Sequence, residues 1–420
     1  MYFCCGRGLL WKNGIGFSRR CWYEGAGHDR CDLQVEKGRS GYIFPGNNEK
    51  SLTAGNGSGL KVRVSGGGYF EKVRNILIRG TNWIGDAVMT LPALAAVRNT
   101  FPQARLAVLA KPWVAEIYRM GPAIDEVILF QSPGRHAGIS GKFKLASELR
   151  ERGFDAAILL QNAVEAAVIA TLAGIPIRAG YDSDARGMLL THAVRRTPAI
   201  RRIHQTEYYL EMVKALGCRS GGWNFPLHPD DTQAERADIL LSGLGVDRDE
   251  RLIGLAPGAT YGPAKKWFPE RFAAVADRLE GKFGVKTILF GSGGDRDSTA
   301  LVAWASHRSP LDLAGKTSLN EAIALMARCS LFISNDSGLM HVAGALGIPT
   351  LAIFGSTNPV TTSPVGVRSV VIHKDVDCSP CLKKECPTDF RCMDLIRIEE
   401  VYEVAASVLS GKGGPIEAMP

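Results

Sequence analysis

Short apolar runs alternate with stretches of helical spacing along most of this chain. The runs Asn75–Arg79 and Arg105–Ala110 are each followed by apolar residues that recur every three or four positions. A second series of the same kind extends from Leu252–Ala256 to Thr350–Phe354. This alternation predicts βαβ units and parallel sheets. The other predicted strands are 126–130, 156–160, 286–290 and 331–334. The first predicted helix follows a Gly-containing turn and extends through Asn99, and the others are 112–120, 142–152, 205–216, 269–282, 319–328 and 338–346.

The two series predict an α/β protein with two Rossmann-like, doubly wound domains that face each other across a cleft. We place the first domain at 72–220, the second at 250–412 and a linker at 221–233. A basic, irregular stretch at 181–202 predicts a loop. Ligands of such sheets bind beyond the carboxyl ends of the strands, and the polar motifs described below lie at such ends.

Residues 1–70 differ from the rest because they are rich in glycine and lack a periodic apolar pattern. They offer too little apolar surface to offset the entropy of ordering. We therefore expect either a disordered extension or an incorrect start, with the functional protein beginning near Tyr69.

The charge of the chain limits the classes of binding partner that we expect. The formal net charge is +8, but residues 1–70 contain ten Lys and Arg against five Asp and Glu, which leaves +3 for the remainder. This mild excess suits an anionic substrate or a membrane surface and falls short of the basic stripe of a nucleic-acid-binding protein. No apolar run has the length of a membrane span and no secretory signal is recognisable, so we expect a cytoplasmic protein.

The turn after the first strand carries a carboxylate in an unusual place. Gly80 and Gly85 are separated by four residues, so the turn is not G-x-G-x-x-G, and Asp86 stands where a P-loop would have lysine. A carboxylate there would repel a nucleotide phosphate. Asp86 is either a residue favoured by the helix dipole or a general base that acts on an acceptor hydroxyl.

Two loops of the second domain carry residues suited to a nucleotide. After Leu252–Ala256 come small residues, the hydroxyl of Thr260 and a lysine pair at 265–266, of which one lysine can meet a phosphate. A solvated basic loop is the alternative for these lysines. The loop at 291–295 ends in Asp295, whose carboxylate can accept hydrogen bonds from ribose hydroxyls.

The most specific motif is Asp-Ser-Gly-x-x-His at 336–341. It follows a buried strand and opens a helix, whose first N–H groups form an anion site. Ser337 and Gly338 allow a diphosphate to approach closely, and His341 lies one turn further along. For Asp336 and Ser337, simple helix capping is the alternative.

Three segments together resemble the ADP-heptose:lipopolysaccharide heptosyltransferases, glycosyltransferase family 9, and most of all the heptosyltransferase II members. They are NILIRGTNWIGDAVMTLPAL, the PGA…AKKWFPERFA stretch, and SNDSGLMHVAGALGIPTLAIFGSTNP. The resemblance covers about 72–397. It implies a GT-B fold and an inverting transfer of heptose from ADP-L-glycero-D-manno-heptose to heptosyl-Kdo2-lipid A. It further implies that no cofactor is required and that the enzyme acts at the inner face of the inner membrane.

The resemblance also assigns roles. Asp86 corresponds to the catalytic base, and Lys265 to the lysine that contacts the donor diphosphate. The expected donor-binding residues are Thr260, Lys265, Asp295, Asp336, Ser337, Gly338 and His341, and the acceptor-side candidates are Asn82, Trp83, Arg186 and Arg195.

Two alternatives differ in the reaction. One is another sugar transfer on the same fold, such as that of heptosyltransferase I. The other is a Rossmann-type NAD-binding oxidoreductase, against which the missing G-x-G-x-x-G argues.

Four cysteines are clustered near the C-terminus with spacings of two, four and five residues. They are Cys378, Cys381, Cys386 and Cys392. A structural zinc ion, free thiols and disulfides are all open on this pattern, whereas the family resemblance implies a catalytic step without metal.

Overall fold

The computed structural model describes residues 73–411, except 122–123 and 224, together with the backbone of four strands before residue 44. Those strands are β1 (Leu10–Lys12), β2 (Ile15–Cys21), β3 (Cys31–Lys37) and β4 (Tyr42–Ile43). The first three form an antiparallel sheet. They differ from the expectation of a segment without regular structure, and in β3 apolar Leu33 and Val35 indeed alternate with polar residues. The rest of 1–70 lies outside the described residues.

The first large sheet has six parallel strands in the order β10-β9-β8-β5-β6-β7. Its central strand β5 is apolar and buried along almost its whole length, as expected for a parallel strand covered on both faces. Its strands are β5 (Asn75–Arg79), β6 (Arg105–Ala110), β7 (Glu126–Leu129), β8 (Ala156–Leu159), β9 (Ile177–Tyr181) and β10 (His192–Val194), and its helices are α1 (Ile84–Thr100), α2 (Ala115–Arg119), α3 (Gly138–Glu151), α4 (Val164–Leu172) and α5 (Gln205–Ala215).

The second large sheet has seven strands in the order β13-β12-β11-β14-β15-β16-β4, parallel except for β4. Its strands are β11 (Leu252–Ala256), β12 (Lys286–Leu289), β13 (Leu311–Asp312), β14 (Cys329–Asn335), β15 (Thr350–Phe354) and β16 (Ser369–His373), and its helices are α6 (Asp231–Gly243), α7 (Pro269–Phe283), α8 (Arg296–Ala305), α9 (Leu319–Ala327), α10 (Gly338–Ala345), α11 (Pro359–Thr362), α12 (Arg391–Asp394) and α13 (Ile398–Leu409).

Both sheets are doubly wound, which confirms the predicted fold class. The strand order reverses between β5 and β8 in the first sheet and between β11 and β14 in the second. A crevice opens beyond the strand ends at each reversal, and ligands of such folds bind there. The loops that follow β5, β11 and β14 are the ones that carry the polar motifs.

The predicted elements match the structure within a few residues, but two predicted irregular regions contain regular elements. The stretch 181–202 includes β10, which pairs with β9 over three residues. The predicted linker runs into α6, which begins with a capping box between Asp230 and Gln233. Helices α4, α8, α11, α12 and α13 and strands β9, β13 and β16 were not predicted. Among the described residues, no helix has both the length and the apolar character needed to cross a bilayer.

The two sheets meet where the N-terminal turns of α1 and α10 pack against each other. Glycines permit this approach, because a methyl group at Gly85 would lie 2.7 Å from His341 Cδ2 and one at Gly338 would lie 2.9 Å from Ile84 Cβ. The Leu227 N–H also donates to the Ala345 carbonyl at 2.8 Å. This contact brings the loop after β5 next to the loop after β14.

Candidate active site

Asp86 lies in the first turn of α1, half-buried at the crevice of the first sheet. The N-cap residue of this helix is Trp83, and no side chain forms a capping hydrogen bond there. Within the described part of the chain, the Asp86 carboxylate has no hydrogen-bond or ion-pair partner. Capping through a hydrogen bond therefore does not account for Asp86, although the helix dipole favours a carboxylate at this position.

The surroundings of Asp86 change its acidity. Burial raises the pKa of Asp86 to about 6, the nearby Lys265 ammonium group lowers it, and the Asp336 carboxylate raises it. Both of these charged neighbours belong to the second domain. A carboxylate with a pKa near neutrality that faces the opposite domain is suited to accept a proton from a bound hydroxyl group.

Lys265 and Asp336 form an ion pair across the crevice of the second sheet. The Lys265 Nζ–Asp336 Oδ2 distance is 2.6 Å, and both side chains are largely buried. The Thr357 hydroxyl donates to the same carboxylate oxygen at 2.6 Å. Three loops, which follow β11, β14 and β15, thus converge on one carboxylate.

The two neighbouring lysines point to different places. Lys265 reaches Asp336, whereas the ammonium group of Lys266 donates to Ser298 Oγ at 2.8 Å, on α8. A 3-10 turn at Pro263–Lys265 separates their directions. Thr260 lies in the same loop, and it is exposed.

The N-terminus of α10 adds an anion-binding feature beside this ion pair. Ser337 is the N-cap residue, yet its hydroxyl bonds to Ser334 Oγ at 3.0 Å and caps no helical N–H. The first amides of an α-helix have no acceptor within the helix, so those of α10 are available to bind an anion. His341 is buried, and its Nδ1 has no hydrogen-bond partner among the described residues. Burial lowers the pKa of His341 to about 3, so the imidazole is neutral.

Asp295 is occupied in part by its own turn. Its Oδ2 accepts hydrogen bonds from the backbone N–H of Ser292 at 2.9 Å and from the Ser292 hydroxyl at 2.7 Å. Its Oδ1 lies against Gly258, where a methyl group would be only 2.1 Å away. Gly258 therefore makes room for this carboxylate beside the loop after β11, and Oδ1 has no hydrogen-bond partner among the described residues.

On the side of the first domain, Asn82 and Trp83 lie in the loop that leads to α1. The Arg79 guanidinium group donates to Asn82 Oδ1 at 2.9 Å, and Trp113 Nε1 donates to the Asn82 carbonyl at 2.7 Å. Trp83 is 62% exposed and Trp113 is 48% exposed. Two indole rings therefore face solvent at the edge of the crevice, where they can stack on a sugar.

The two arginines expected on the acceptor side have different environments. Arg186 is fully buried, and its guanidinium group donates to the carbonyls of Tyr181 and Leu159. The expectation that Arg186 contacts the acceptor is corrected here, because these bonds fix the guanidinium group inside the first domain. Arg195 is exposed and has no ion pair among the described residues.

The cysteine cluster is reduced and holds no evident metal geometry. All four thiols are free, and only Cys392 is buried. In the described ranges, no three His, Cys, Asp or Glu side chains are grouped closely enough to hold a metal ion. Burial, together with the neighbouring thiols, raises the pKa of Cys392 to about 11. The predicted possibility of a structural zinc ion finds no support in this arrangement.

The backbone of the cysteine segment has a role that the sequence did not indicate. The Lys384 carbonyl accepts a hydrogen bond from the Ala264 N–H at 2.9 Å, and the Tyr261 hydroxyl donates to the Leu382 carbonyl at 2.7 Å. The segment therefore supports the loop that positions Lys265. No sequence pattern could have revealed these contacts, because they use main-chain carbonyls about 120 residues away in the chain.

Comparisons with known proteins identify the family of this chain. A family model for glycosyltransferase family 9 (heptosyltransferase) matches residues 142–390. Lipopolysaccharide heptosyltransferase 2 of Salmonella typhimurium is 32% identical over 306 residues, which cover 71% of this chain and 87% of that protein.

Solved structures give the same result. The structure of Escherichia coli ADP-heptose lipopolysaccharide heptosyltransferase II superposes with a TM-score of 0.68 at 26% identity, covering 80% of this chain and 99% of that one. A glycosyltransferase family 9 structure from Veillonella parvula superposes with a TM-score of 0.72 at 27% identity, covering 81% and 98%. This chain therefore belongs to glycosyltransferase family 9, the heptosyltransferases, and is a sugar-transferring enzyme.

Proposed function

We propose that this enzyme transfers heptose from ADP-heptose to the inner core of lipopolysaccharide, as heptosyltransferase II does. The observation that carries the proposal is the Asp86 carboxylate, which has no hydrogen-bond partner among the described residues and lies near the Lys265–Asp336 pair of the opposite domain. A base on one side and an anion-binding site on the other are what a sugar transfer between two bound substrates needs. Similarity to a heptosyltransferase 2 supports the choice of donor and acceptor.

The donor binds to the second domain. Its diphosphate accepts hydrogen bonds from Lys265 and from the free amides at the start of α10, next to Ser337 and Gly338. Lys265 has three N–H donors, so it can keep its bond to Asp336 while it contacts a phosphate oxygen. Thr260 and one oxygen of Asp295 border the nucleoside, and neutral His341 lies beside the heptose.

The acceptor binds to the first domain, beside Asn82, Trp83 and exposed Arg195. Its hydroxyl oxygen attacks the anomeric carbon of the heptose from the face opposite the diphosphate. Asp86 takes the hydroxyl proton as the new C–O bond forms and the bond to ADP breaks. The charge that develops on ADP is stabilised by Lys265 and the α10 amides, and the anomeric configuration inverts.

Two other reactions are the alternatives to the proposed transfer. Heptosyltransferase I adds its sugar to an acceptor that lacks the first heptose, and the choice between the two acceptors lies in loops of the first domain. Family membership leaves no support for an NAD-binding oxidoreductase.

The test is a transfer assay with ADP-heptose and purified lipopolysaccharide cores truncated after Kdo or after the first heptose. We expect product only with the acceptor that already carries one heptose, detected as a mass increase of one heptose. Product only with the heptose-free acceptor would replace the proposal with heptosyltransferase I. Turnover of neither acceptor, by a protein that binds ADP, would refute transfer to the inner core.

A further inference from the structure

Two large apolar side chains stand exposed on the first two turns of α3. Ile139 is 76% exposed and Phe143 is 56% exposed. They are four residues apart and so share one face of the helix. Leu145 and Leu149, on another face of α3, anchor the helix in the core. Folding of this helix therefore does not require Ile139 and Phe143 to be exposed. The presence of two neighbouring apolar side chains on the surface needs another explanation.

The segment that carries them is basic. Residues 131–144 contain Arg135, Lys142 and Lys144 and no Asp or Glu. Arg135 pairs with Glu148 further along α3, and Lys142 pairs with Glu165 of α4, but each of the two basic side chains keeps more than a third of its surface exposed. None of the ion pairs in the described part of the chain includes Lys144. A short exposed segment with apolar side chains between basic ones is the composition of a surface that contacts anionic lipid.

The segment is also held in place beside the crevice of the first domain. It starts at the end of β7, and the Lys111 ammonium group, at the end of β6, donates to the Ser132 carbonyl at 2.8 Å. The buried ring of His136 accepts a hydrogen bond from the Gln131 N–H at 3.1 Å. The carboxyl ends of β6 and β7 belong to the same sheet edge as the turn that carries Asp86. A bilayer that touched this segment would therefore lie at the edge where the acceptor enters.

We infer that Ile139 and Phe143, flanked by Arg135, Lys142 and Lys144, insert into the surface of an anionic lipid bilayer. This lipid-docking surface rests on the proposed function in one respect, since a lipid-linked acceptor explains its place beside the crevice. The apolar pair enters the interface between headgroups and acyl chains, and the basic side chains meet the lipid phosphates. Docking therefore holds the crevice of the first domain next to membrane-embedded substrate.

Vesicle sedimentation of the full chain, without any substrate, tests the docking. The vesicles consist of phosphatidylethanolamine and phosphatidylglycerol, or of phosphatidylcholine alone. We expect binding to the anionic vesicles that weakens with salt, and at least about tenfold weaker binding by an Ile139→Ser/Phe143→Ser variant. The matched control is Leu301→Ser/Trp304→Ser on α8 of the second domain, where the side chains are 53% and 85% exposed. This control should bind like wild type.

Several outcomes would overturn the inference. They are no binding of wild type to anionic vesicles, equal loss in both double variants, or a change of Ile139→Ser/Phe143→Ser from dimer to monomer in gel filtration. The last result would show that a second copy of the chain covers this surface. Unchanged melting temperature of the exposed-residue variants checks that they are folded.

A second assay separates this inference from the proposed function. The same variants are offered the acceptor either in vesicles or as a delipidated, water-soluble core. We expect Ile139→Ser/Phe143→Ser to keep wild-type turnover of the soluble core and to lose most turnover of the vesicle acceptor. If wild type transfers heptose to neither form, the proposed function fails, while sedimentation still decides on lipid docking.

Discussion

The ammonium group of Lys265 lies 2.6 Å from Asp336 Oδ2, and the hydroxyl of Thr357 binds that same oxygen. The Lys265 side chain is thus held in place at the start of α10 before any donor binds. A preorganised cation costs little reorganisation when negative charge develops on a leaving group. Its neighbour Lys266 is held on Ser298 instead, which provides an internal control.

Lys265→Ala should weaken ADP-heptose binding and transfer, whereas Lys266→Ala should have little effect on either. A hydrogen bond to a charged group contributes roughly 1.5–3 kcal/mol, which corresponds to about a tenfold or larger loss. Calorimetric titration with ADP and steady-state kinetics measure both effects. Equal losses in the two variants would show that Lys265 has no special contact with the donor.

Asp86→Asn should reduce kcat by about 10²–10⁴ and leave ADP affinity close to that of wild type, because only the proton acceptor is removed. Glu116→Gln, at the corresponding first turn of α2, is the control and should be fully active. An Asp86→Asn variant with kcat within threefold of wild type would rule out Asp86 as the base. In wild type, kcat/KM should fall as the pH drops through about 6, where Asp86 becomes protonated.

The same substitution should stabilise the fold near pH 7.5. The pKa of Asp86 is raised from 3.8 to about 6, so ionised Asp86 costs the folded state stability that neutral Asn does not. The cost is about 1–3 kcal/mol and is fully present only above the folded pKa. The gain in Tm should therefore be seen at pH 7.5 and disappear towards pH 4, below the folded pKa. A Tm lower than that of wild type at pH 7.5 would contradict the raised pKa.

The architecture was accessible from the sequence because its signals are local. Strands such as β5 are continuous apolar runs, and a parallel strand covered on both faces has no alternative pattern. The loops with Asp86 and with Asp336 could be placed at strand ends for the same reason. Short or partly polar elements such as β10 carried too few apolar positions to distinguish them from a loop.

Parts of the site depended on contacts that no local pattern contains. Arg186 lies in a basic, irregular stretch of sequence that is typical of a surface loop. Its guanidinium group is nevertheless buried, where it donates to backbone carbonyls of β8 and β9. Thr357 reaches Asp336 from a loop 21 residues further along the chain. The direction in which each of two adjacent lysines points is also set by the tertiary structure.

Gly85→Ala should impair transfer more strongly than it destabilises the fold of either domain. The added methyl group would lie 2.7 Å from His341 Cδ2, so the His341 ring, or α10 with it, must shift away from α1. Displacing reacting groups by about 1 Å can cost about 10²-fold in rate. We expect a loss of that order in kcat/KM, with ADP still bound by the second domain. Gly243→Ala on α6 is the control, because a methyl group there meets no atom of the described residues within 4 Å. Wild-type kinetics of Gly85→Ala would show that the close contact of α1 and α10 is unnecessary for transfer.

A further prediction concerns Cys378, Cys381, Cys386 and Cys392. Chelators should leave transfer unchanged, because Asp86 and Lys265, with the α10 amides, already provide the base and the leaving-group stabilisation. Cys381→Ser should likewise change kcat/KM by less than about twofold, since the segment supports the Lys265 loop through backbone carbonyls and not through thiols.

Tyr261→Phe tests the same support from the other side. It removes the hydroxyl that donates to the Leu382 carbonyl, a single hydrogen bond worth about 1 kcal/mol. We expect a several-fold rise in KM for ADP-heptose with kcat little changed, because the Lys265 loop loosens while Asp86 is untouched.

Metal analysis of protein purified without a His tag tests directly whether the cysteine segment binds a metal ion. If a chelator abolished turnover of the folded enzyme and added metal restored it, the cysteine segment would act through a bound ion, and the backbone account of its role would be wrong.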